Sequence, residues 1–246
     1  MWNVFGNGRH AGGVDERPLV DNGQDRRCEE PWRDDGRRKN QNSMILHDFP
    51  LSSASFRVRI VLNLKGLAYE KRNYALRAGE QRAPEFLKLN PAGFVPALEV
   101  DGLVLGQSLA IIDYLDTVQP TPRMIPTEPL ARARAMEMAL TIAADIHPIN
   151  NLRILKYLEN QLGQEKEAID VWYRHWIEAG FTTLEKLLPD TMFAGGDAPN
   201  IVDACLVPQM YNARRFETDL TPFPRVTAMA DRAGAHPAFM AAAPTV

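Results

Sequence analysis

The sequence predicts an α/β domain followed by an all-α domain. Three observations support this prediction. Short apolar strands and amphipathic helices alternate between residues 44 and 118, a proline-rich segment follows near residue 120, and helical patterns fill the remainder of the chain. The chain has 246 residues, a length suited to one large domain or two small ones.

The predicted α/β domain, residues 44–120, begins with a strand and a helix. The segment "MILHDF", starting at Met44, is a short apolar run typical of a buried strand. Between Ser55 and Leu64 the aliphatic residues recur at helical spacing, and Gly66 is placed to end that helix.

The remaining elements of this domain follow in the order strand, helix, strand, strand, helix. "YEKRNYAL" alternates as a strand does, and "EQRAPEFLKL" predicts a short helix. Asp101 and Gly102 predict a hairpin turn between the strands "ALEV" and "LVLG". The amphipathic helix that follows begins at Ser108, a good N-cap residue.

A linker and an all-helical domain complete the prediction. Four prolines in "QPTPRMIPTEP" disfavour regular structure, so we assign residues 121–129 to a linker and residues 130–246 to the helical domain. Its predicted helices span residues 130–158, 164–188, 201–216, 223–232 and 237–242.

The N-terminus of the helix at residue 201 can be predicted from its capping residues. Asn200 with Asp203 three residues later predicts a capping box. Pro208 lies inside the same helix, which leaves a kink or an early break open. Cys205 is expected to pack there as a small apolar side chain.

Residues 1–43 differ in kind from the rest of the chain. They are rich in Gly, Asp, Arg, Asn and Glu, contain few aliphatic residues and show no sustained period. Such a segment cannot bury enough apolar surface to offset the entropy lost on ordering. We expect a disordered N-terminal extension.

Composition and charge exclude several classes of function. The contents of 45% hydrophobic and 24% charged residues are those of a soluble globular protein, and no apolar run reaches the length of a membrane span. A net charge of −3 provides no electrostatic basis for binding nucleic acid or an anionic membrane. The two cysteines, Cys28 and Cys205, match neither a disulfide framework nor a metal site, so we expect no metal and a reducing, cytoplasmic compartment.

Ser52 and Ser53 lie between the first strand and the first helix. One of them capping the helix is the ordinary interpretation. The alternative is an anion site, since a hydroxyl and a helix N-terminus together stabilise a thiolate. No G-x-S-x-G elbow surrounds these serines, which argues against a serine nucleophile.

Two further junctions allow a similar choice. Pro96 stands at the start of a strand, where it is either a plain turn proline or a cis proline. The functional interpretation is that the backbone of Val95 faces outward and can pair with a bound peptide. Gln107 and Ser108 open a helix, where they either cap it or hold a carboxylate at its N-terminus.

Five segments, in this order along the chain, resemble one known family when they are taken together: "SSASFRVRIVLNLKG", "LNPAGFVPAL", "QSLAIIDYL", "DIHPINNLRILKYL" and "DACLVPQMYNARRFETDLTPFP". Together they resemble the zeta class of glutathione transferases, which includes maleylacetoacetate isomerase. The resemblance runs from about Met44 to the C-terminus. It implies a thioredoxin-like N-terminal domain plus an all-α C-terminal domain, the glutathione-transferase fold.

The resemblance also implies roles for individual residues. Ser52 would contact the glutathione thiolate, with Ser53 as its catalytic neighbour, and Arg215 would meet a substrate carboxylate. Further glutathione contacts would fall on Gln81, Val95, Gln107, Ser108, His147, Asn151 and Arg153. For His147, an ordinary helix histidine bonded to a neighbour is an equal alternative.

Two positions depart from the family's Arg-Ser-Ser-Cys pattern. Leu51 replaces the arginine and Ala54 replaces the cysteine. Ala54 excludes a protein thiol at this position. With Leu51 the chain lacks the arginine cation that could bind a carboxylate at this position, and leucine cannot bind one.

The implied activity is glutathione-dependent conversion of maleylacetoacetate to fumarylacetoacetate, a step of aromatic amino-acid breakdown. The thiolate adds to the conjugated double bond, the bond rotates, and elimination restores it. Alternatives are a maleylpyruvate isomerase, a transferase or dehalogenase of small electrophiles, and a non-catalytic binding module of the same fold. The resemblance further implies a homodimer, with neither nucleic acid nor membrane as a partner.

Overall fold

A computed structural model describes residues 44–244 of the chain, which form a mixed sheet with its helices and a group of further helices. The predicted N-terminal extension, residues 1–43, lies outside the described residues. Among the helices of the described part, none has both the length and the apolar content needed to cross a membrane.

The first half of the described chain follows the predicted order of strands and helices. The elements are β1 Met44–Asp48, α1 Ser53–Leu64, β2 Tyr69–Asn73, α2 Pro84–Leu89, β3 Ala97–Val100, β4 Leu103–Gly106 and α3 Ser108–Val118. The sheet order is β2-β1-β3-β4, with β1 and β2 parallel and the other pairs antiparallel.

The predicted helix "EQRAPEFLKL" is shorter than expected. Two single 3₁₀ turns, at residues 76–78 and 80–82, precede α2. The α-helix itself begins only at Pro84. Proline suits the first turn of a helix, because the backbone amides of that turn have no acceptor within the helix.

The second half is helical. Its elements are α4 Pro129–Leu140, α5 Leu152–Asn160, α6 Lys166–Leu187, α7 Ile201–Arg215, α8 Pro224–Gly234 and α9 Pro237–Ala242.

The prediction of one helix over residues 130–158 was wrong. After α4 the chain passes into a π-helical stretch, Thr141–Ile146, and then turns before α5. The amide of His147 still donates to the carbonyl of Ile142 at 2.9 Å, but Pro148 has no amide hydrogen with which to continue. Asn151 then starts α5 as its N-cap, accepting from the amide of Arg153 at 3.2 Å.

The capping box of α7 is confirmed. The Asn200 side chain accepts from the amide of Val202 at 2.8 Å, and the Asp203 carboxylate accepts from the amide of Asn200 at 2.8 Å. The helix runs through Pro208 without a break, and Cys205 is fully buried within it.

Helix α1 connects the two halves, because it packs against α7 and α9 as well as α3. Arg59 donates to both carboxylate oxygens of Asp48, at 2.7 and 2.9 Å, and to the carbonyl of Ala242 at 2.9 Å. These bonds fasten β1 and α9 to the same helix, so the start of α1 is held in a fixed position.

The proline-rich segment is also held in place. Lys65 donates to Asp116 at 2.8 Å, and the same carboxylate accepts the amides of Met124 at 2.7 Å and Ile125 at 3.1 Å. The connection between the two halves is therefore bonded to α1 and α3.

Candidate active site

A cleft opens where the starts of α1 and α3 face the turn between the π-helical stretch and α5. It consists of three adjoining cavities that share lining residues. The Arg57 cavity, of about 440 Å³, is lined among others by Arg57, Gln107, Ser108 and His147. The Gln81 cavity, of about 260 Å³, includes Gln81, Arg82 and Lys156, and the Arg215 cavity, of about 170 Å³, includes Leu51, Ser53, Arg77 and Arg215.

Ser52 stands at the start of α1, between the Gln81 and Arg215 cavities. Its Oγ accepts a hydrogen bond from the amide of Ser55 at 3.2 Å, so the serine does cap the helix. The hydroxyl hydrogen remains available to donate into the cleft. A donor at a positive helix end is a suitable arrangement for binding an anion.

Ser53 makes different contacts from those of Ser52. It is the first residue of α1, it is 6% exposed, and its Oγ accepts from the side-chain amide of Asn212 at 2.6 Å. Ser53 also lines the Arg215 cavity. Its strongest contact is therefore with α7.

Val95 lies where the Arg57 and Gln81 cavities meet. The Val95–Pro96 peptide bond is cis. Neither the amide nor the carbonyl of Val95 has a hydrogen-bond partner among residues 44–244. This backbone can pair with an extended ligand in the manner of an added strand.

The start of α3 corrects the assignment of Ser108 as an N-cap. Gln107 occupies the N-cap position with a φ of 63°, a strained backbone for a residue other than glycine, and its side chain makes no capping bond. Ser108 is the first helical residue, and its hydroxyl accepts from Nη1 of Arg57 at 3.3 Å. The left-handed turn at Gln107 shifts the helix start by one residue.

Arg57 is a cleft residue that the sequence reasoning missed. Its side chain is only 1% exposed, and Nε and Nη2 have no hydrogen-bond partner among residues 44–244. The sequence shows two arginines two positions apart in α1, but only the structure shows that Arg59 has an acidic partner and Arg57 has none.

His147, Asn151 and Arg153 form the opposite wall of the cleft. Burial, together with the nearby cations Arg57 and Arg153, lowers the pKa of His147 to about 3, so the ring is neutral near pH 7. Arg153 lies over the ring of Phe94, with its guanidinium carbon 5.1 Å from the ring centroid. His147 lies at the turn rather than inside a continuous α-helix.

The Arg215 cavity combines cations with apolar walls. Arg215 lies over the ring of Phe216, 5.5 Å from its centroid, and Phe216 in turn stacks on Tyr173 at 3.6 Å. Leu51 lies on the wall of this cavity. Arg77 lines it as well, and it is a second residue that the sequence reasoning missed.

All the residues predicted for the site line these cavities. Ser52, Ser53 and Arg215 lie on the Arg215 cavity, Gln81 lies on the cavity named after it, and Val95, Gln107, Ser108, His147, Asn151 and Arg153 lie on the Arg57 cavity. The individual roles of these residues stay predictions. Within residues 44–244 no group of three His, Cys, Asp or Glu side chains is placed to hold a metal ion.

Comparison with known proteins gives consistent matches. Residues 42–117 match the family model of the glutathione S-transferase N-terminal domain. The chain is 50% identical over 207 residues to the probable maleylacetoacetate isomerase of Vibrio cholerae, covering 82% of this chain and 96% of that protein.

The chain also matches solved structures of isomerases. A holo structure of a maleylpyruvate isomerase, described as a bacterial glutathione S-transferase in the zeta class, matches with a TM-score of 0.79 and 43% identity, over 81% of this chain and 96% of that one. A maleylacetoacetate isomerase from Methylobacterium extorquens AM1, with bound malonate and glutathione, matches with a TM-score of 0.78 and 38% identity, over the same shares of the two chains.

Proposed function

The chain belongs to the zeta class of glutathione transferases, and on that basis we propose that it is a glutathione-dependent isomerase that converts maleylacetoacetate to fumarylacetoacetate. The observation that best supports the proposal is the position of Ser52. Its hydroxyl, at the positive end of α1, lies where the Gln81 cavity meets the Arg215 cavity, which carries arginines.

The cleft fits an extended tripeptide with an anionic group at each end. The Arg57 and Gln81 cavities adjoin at Val95, whose backbone can pair with the centre of such a peptide. Arg82, Arg153 and Lys156 line the Gln81 cavity, where they suit the glycyl carboxylate. Gln107 and Ser108, at the start of α3, suit the γ-glutamyl end.

Glutathione, when bound, supplies a thiolate whose reversible addition to a conjugated double bond permits rotation about that bond. The protein's part is to hold and activate the thiol. The Ser52 hydroxyl donates toward it, and the N-terminus of α1 favours the anion, which together lower the thiol pKa. Asn151 and Gln81 bound the same space and orient the peptide.

The Arg215 cavity suits a small substrate with two carboxylates. Arg215 and Arg77 are both exposed and both line it, so each can bind one carboxylate. Leu51 leaves an apolar wall where the family pattern has an arginine. Arg77 therefore gives this chain a second cation despite that departure.

A maleylpyruvate isomerase is the second candidate. It is favoured by the 43% identity to the zeta-class maleylpyruvate isomerase, and maleylpyruvate also carries two carboxylates. The two candidates differ in chain length beyond the double bond, so a comparison of the two substrates separates them.

Comparison of three substrates, each with and without glutathione, tests the proposal. We expect the highest kcat/KM for maleylacetoacetate, less for maleylpyruvate and little for 1-chloro-2,4-dinitrobenzene. A preference for maleylpyruvate would favour the second candidate, and activity with the chloroarene alone would contradict both. A folded protein that fails to bind immobilised glutathione would instead be a non-catalytic module.

We also propose that the enzyme is a cytoplasmic homodimer with a glutathione-binding domain at 44–120, a linker at 121–129 and a helical domain at 130–246. The support is the family membership. Light scattering after size exclusion should give twice the 27.6 kDa chain mass. A monomer mass would contradict the dimer.

A further inference from the structure

Tyr173 is a tyrosine of α6 that lines the Arg215 cavity and is only 5% exposed. Its carbonyl accepts from the side-chain amide of Asn150 at 2.9 Å, whereas its hydroxyl bonds to no residue between 44 and 244. The enclosed polar atoms without a partner in this part of the chain include the indole nitrogen of Trp176 but not the Tyr173 hydroxyl. A phenol that is unpartnered but still accessible is open to the cavity that it lines.

The position of the Tyr173 ring is fixed by its neighbours. The ring stacks on Phe216, with centroids 3.6 Å apart and planes inclined by 11°. Arg174, the next residue of α6, donates to the carbonyl of Phe216 at 3.3 Å and so holds that residue against the helix. Because the ring is held on one face and its backbone is bonded to Asn150, the hydroxyl has a defined place in the cavity wall.

The phenol keeps its proton and is therefore a hydrogen-bond donor. Burial raises the pKa of Tyr173 above the ordinary tyrosine value, although the charge of Arg215 opposes this rise in part. The hydroxyl is neutral near pH 7 and can donate to an anion or a carbonyl. Leu51 and Phe216 add apolar walls to the same cavity, and a hydrogen bond is stronger in such surroundings than in water.

The proposed reaction forms a negative charge that needs such a donor. The double bond of the substrate lies between a carboxylate and a ketone. When the thiolate sulfur bonds to the carbon next to the carboxylate, the electron pair of the double bond moves toward the ketone and an enolate forms. Arg215 and Arg77 serve the carboxylates and Ser52 serves the sulfur, which leaves the enolate oxygen to another group.

Two other polar side chains of the Arg215 cavity are used inside the protein. The amide of Asn150 donates to the Tyr173 carbonyl, and the amide of Asn212 donates to the Ser53 hydroxyl at 2.6 Å. The Tyr173 hydroxyl has no such task among residues 44–244.

We propose that the Tyr173 hydroxyl donates a hydrogen bond to the ketone oxygen of the substrate and stabilises the enolate that forms when glutathione adds. The inference rests on the proposed function and adds a catalytic residue to it. The bond is stronger to the charged enolate than to the ketone, so it lowers the barrier more than it tightens substrate binding. After rotation the electron pair returns to the double bond, the carbon–sulfur bond breaks and the thiolate is released, so no proton or electron is consumed.

Tyr173→Phe tests this role, because it removes the hydroxyl and keeps the ring that stacks on Phe216. We expect kcat for maleylacetoacetate to fall about a hundredfold at saturating glutathione, with little change in KM. The Tm and the calorimetric affinity for glutathione should equal those of the wild type. Tyr157→Phe is the matched control, since Tyr157 is 56% exposed on α5 and lines none of the three cavities, and it should leave all four quantities unchanged.

The ultraviolet absorbance of the bound thiolate separates the enolate from the sulfur as the group that the hydroxyl contacts. A contact with the enolate alone leaves the pH at which the thiolate appears the same in Tyr173→Phe and in the wild type. A shift of that pH to a higher value in Tyr173→Phe would assign the hydroxyl to the sulfur and overturn the inference.

Two further outcomes would also contradict a catalytic role. One is an equal kcat in Tyr173→Phe and an active wild type, which defeats the inference alone. The other is a lowered Tm together with a raised KM, which would make the hydroxyl a structural group. If the wild type shows no glutathione-dependent isomerisation, the proposed function fails and this inference fails with it.

Discussion

The side-chain amide of Asn212 donates a 2.6 Å hydrogen bond to the hydroxyl of Ser53, joining α7 to the first turn of α1. The adjacent Ser52 caps that turn and keeps its hydroxyl hydrogen available to the cleft. The two neighbouring serines therefore have different partners, and substitutions at the two positions should have different consequences.

Ser52→Ala should lower isomerase kcat/KM by roughly a hundredfold, because a donor to the thiolate is lost. The ultraviolet absorbance of the bound thiolate should correspondingly appear at higher pH than in the wild type. Ser52→Thr is the matched control, since it keeps a hydroxyl and a capping oxygen. Equal thiolate titrations in wild type and Ser52→Ala would assign the thiolate to another donor.

Ser53→Ala should affect stability more than chemistry. It leaves the buried Asn212 amide without its acceptor, and we expect a loss of about 1–3 kcal/mol in the free energy of unfolding. Denaturant titration measures this loss. A large fall in kcat with unchanged stability would show that Ser53 has the role proposed for Ser52.

Arg215→Gln and Arg77→Gln should each raise the KM for maleylacetoacetate by roughly ten- to a hundredfold, because each removes one carboxylate partner. The affinity for glutathione, measured by calorimetric titration, serves as the control and should change little. If Arg77→Gln leaves the KM for the dicarboxylate unchanged, Arg77 does not replace the cation missing at Leu51.

His147 should make the protein sensitive to acid. In the folded protein the pKa of His147 is lowered from 6.5 to about 3. Between these two pH values His147 is protonated in the unfolded chain but not in the folded protein, so stability falls as the pH decreases. His147→Gln removes this contribution. The Tm difference between variant and wild type should be constant above about pH 7 and shift in favour of the variant below it. Parallel Tm curves would show that His147 ionises normally in the folded protein.

Gly180→Ala should strain the contact between α6 and the π-helical stretch. A Cβ at Gly180 would overlap the side chain of Ile146, which is 1% exposed and precedes His147. We expect a destabilisation of about 1–3 kcal/mol. The double variant Gly180→Ala with Ile146→Ala should be less destabilised than the sum of the single variants. Additive losses would mean that the two positions do not share the space.

Several regular elements of both halves could be predicted because each has a local cause. The apolar run at Met44, the hairpin turn at Asp101 and the capping box at Asn200 depend on neighbouring residues only. The residues predicted for the cleft were recognised through segments that keep the family's order. Their assembly into one cleft follows from the fold.

The features that were missed have both distant and local causes. Arg57 and Arg59 are alike in the sequence pattern, and only the position of Asp48 decides which of them is paired. The interruption of the long helix follows from Pro148, a local signal that the prediction of one helix over residues 130–158 overlooked. The start of α3 at Ser108 depends on the left-handed backbone of Gln107, which helix propensity does not indicate.

We propose that this cleft performs a glutathione-dependent isomerisation. The most direct measurement is the rate of fumarylacetoacetate formation from maleylacetoacetate by the wild type, with and without glutathione. We expect turnover that requires glutathione and saturates with its concentration. Isomerisation at an equal rate in its absence, or none in its presence by a folded protein that binds it, would contradict the account.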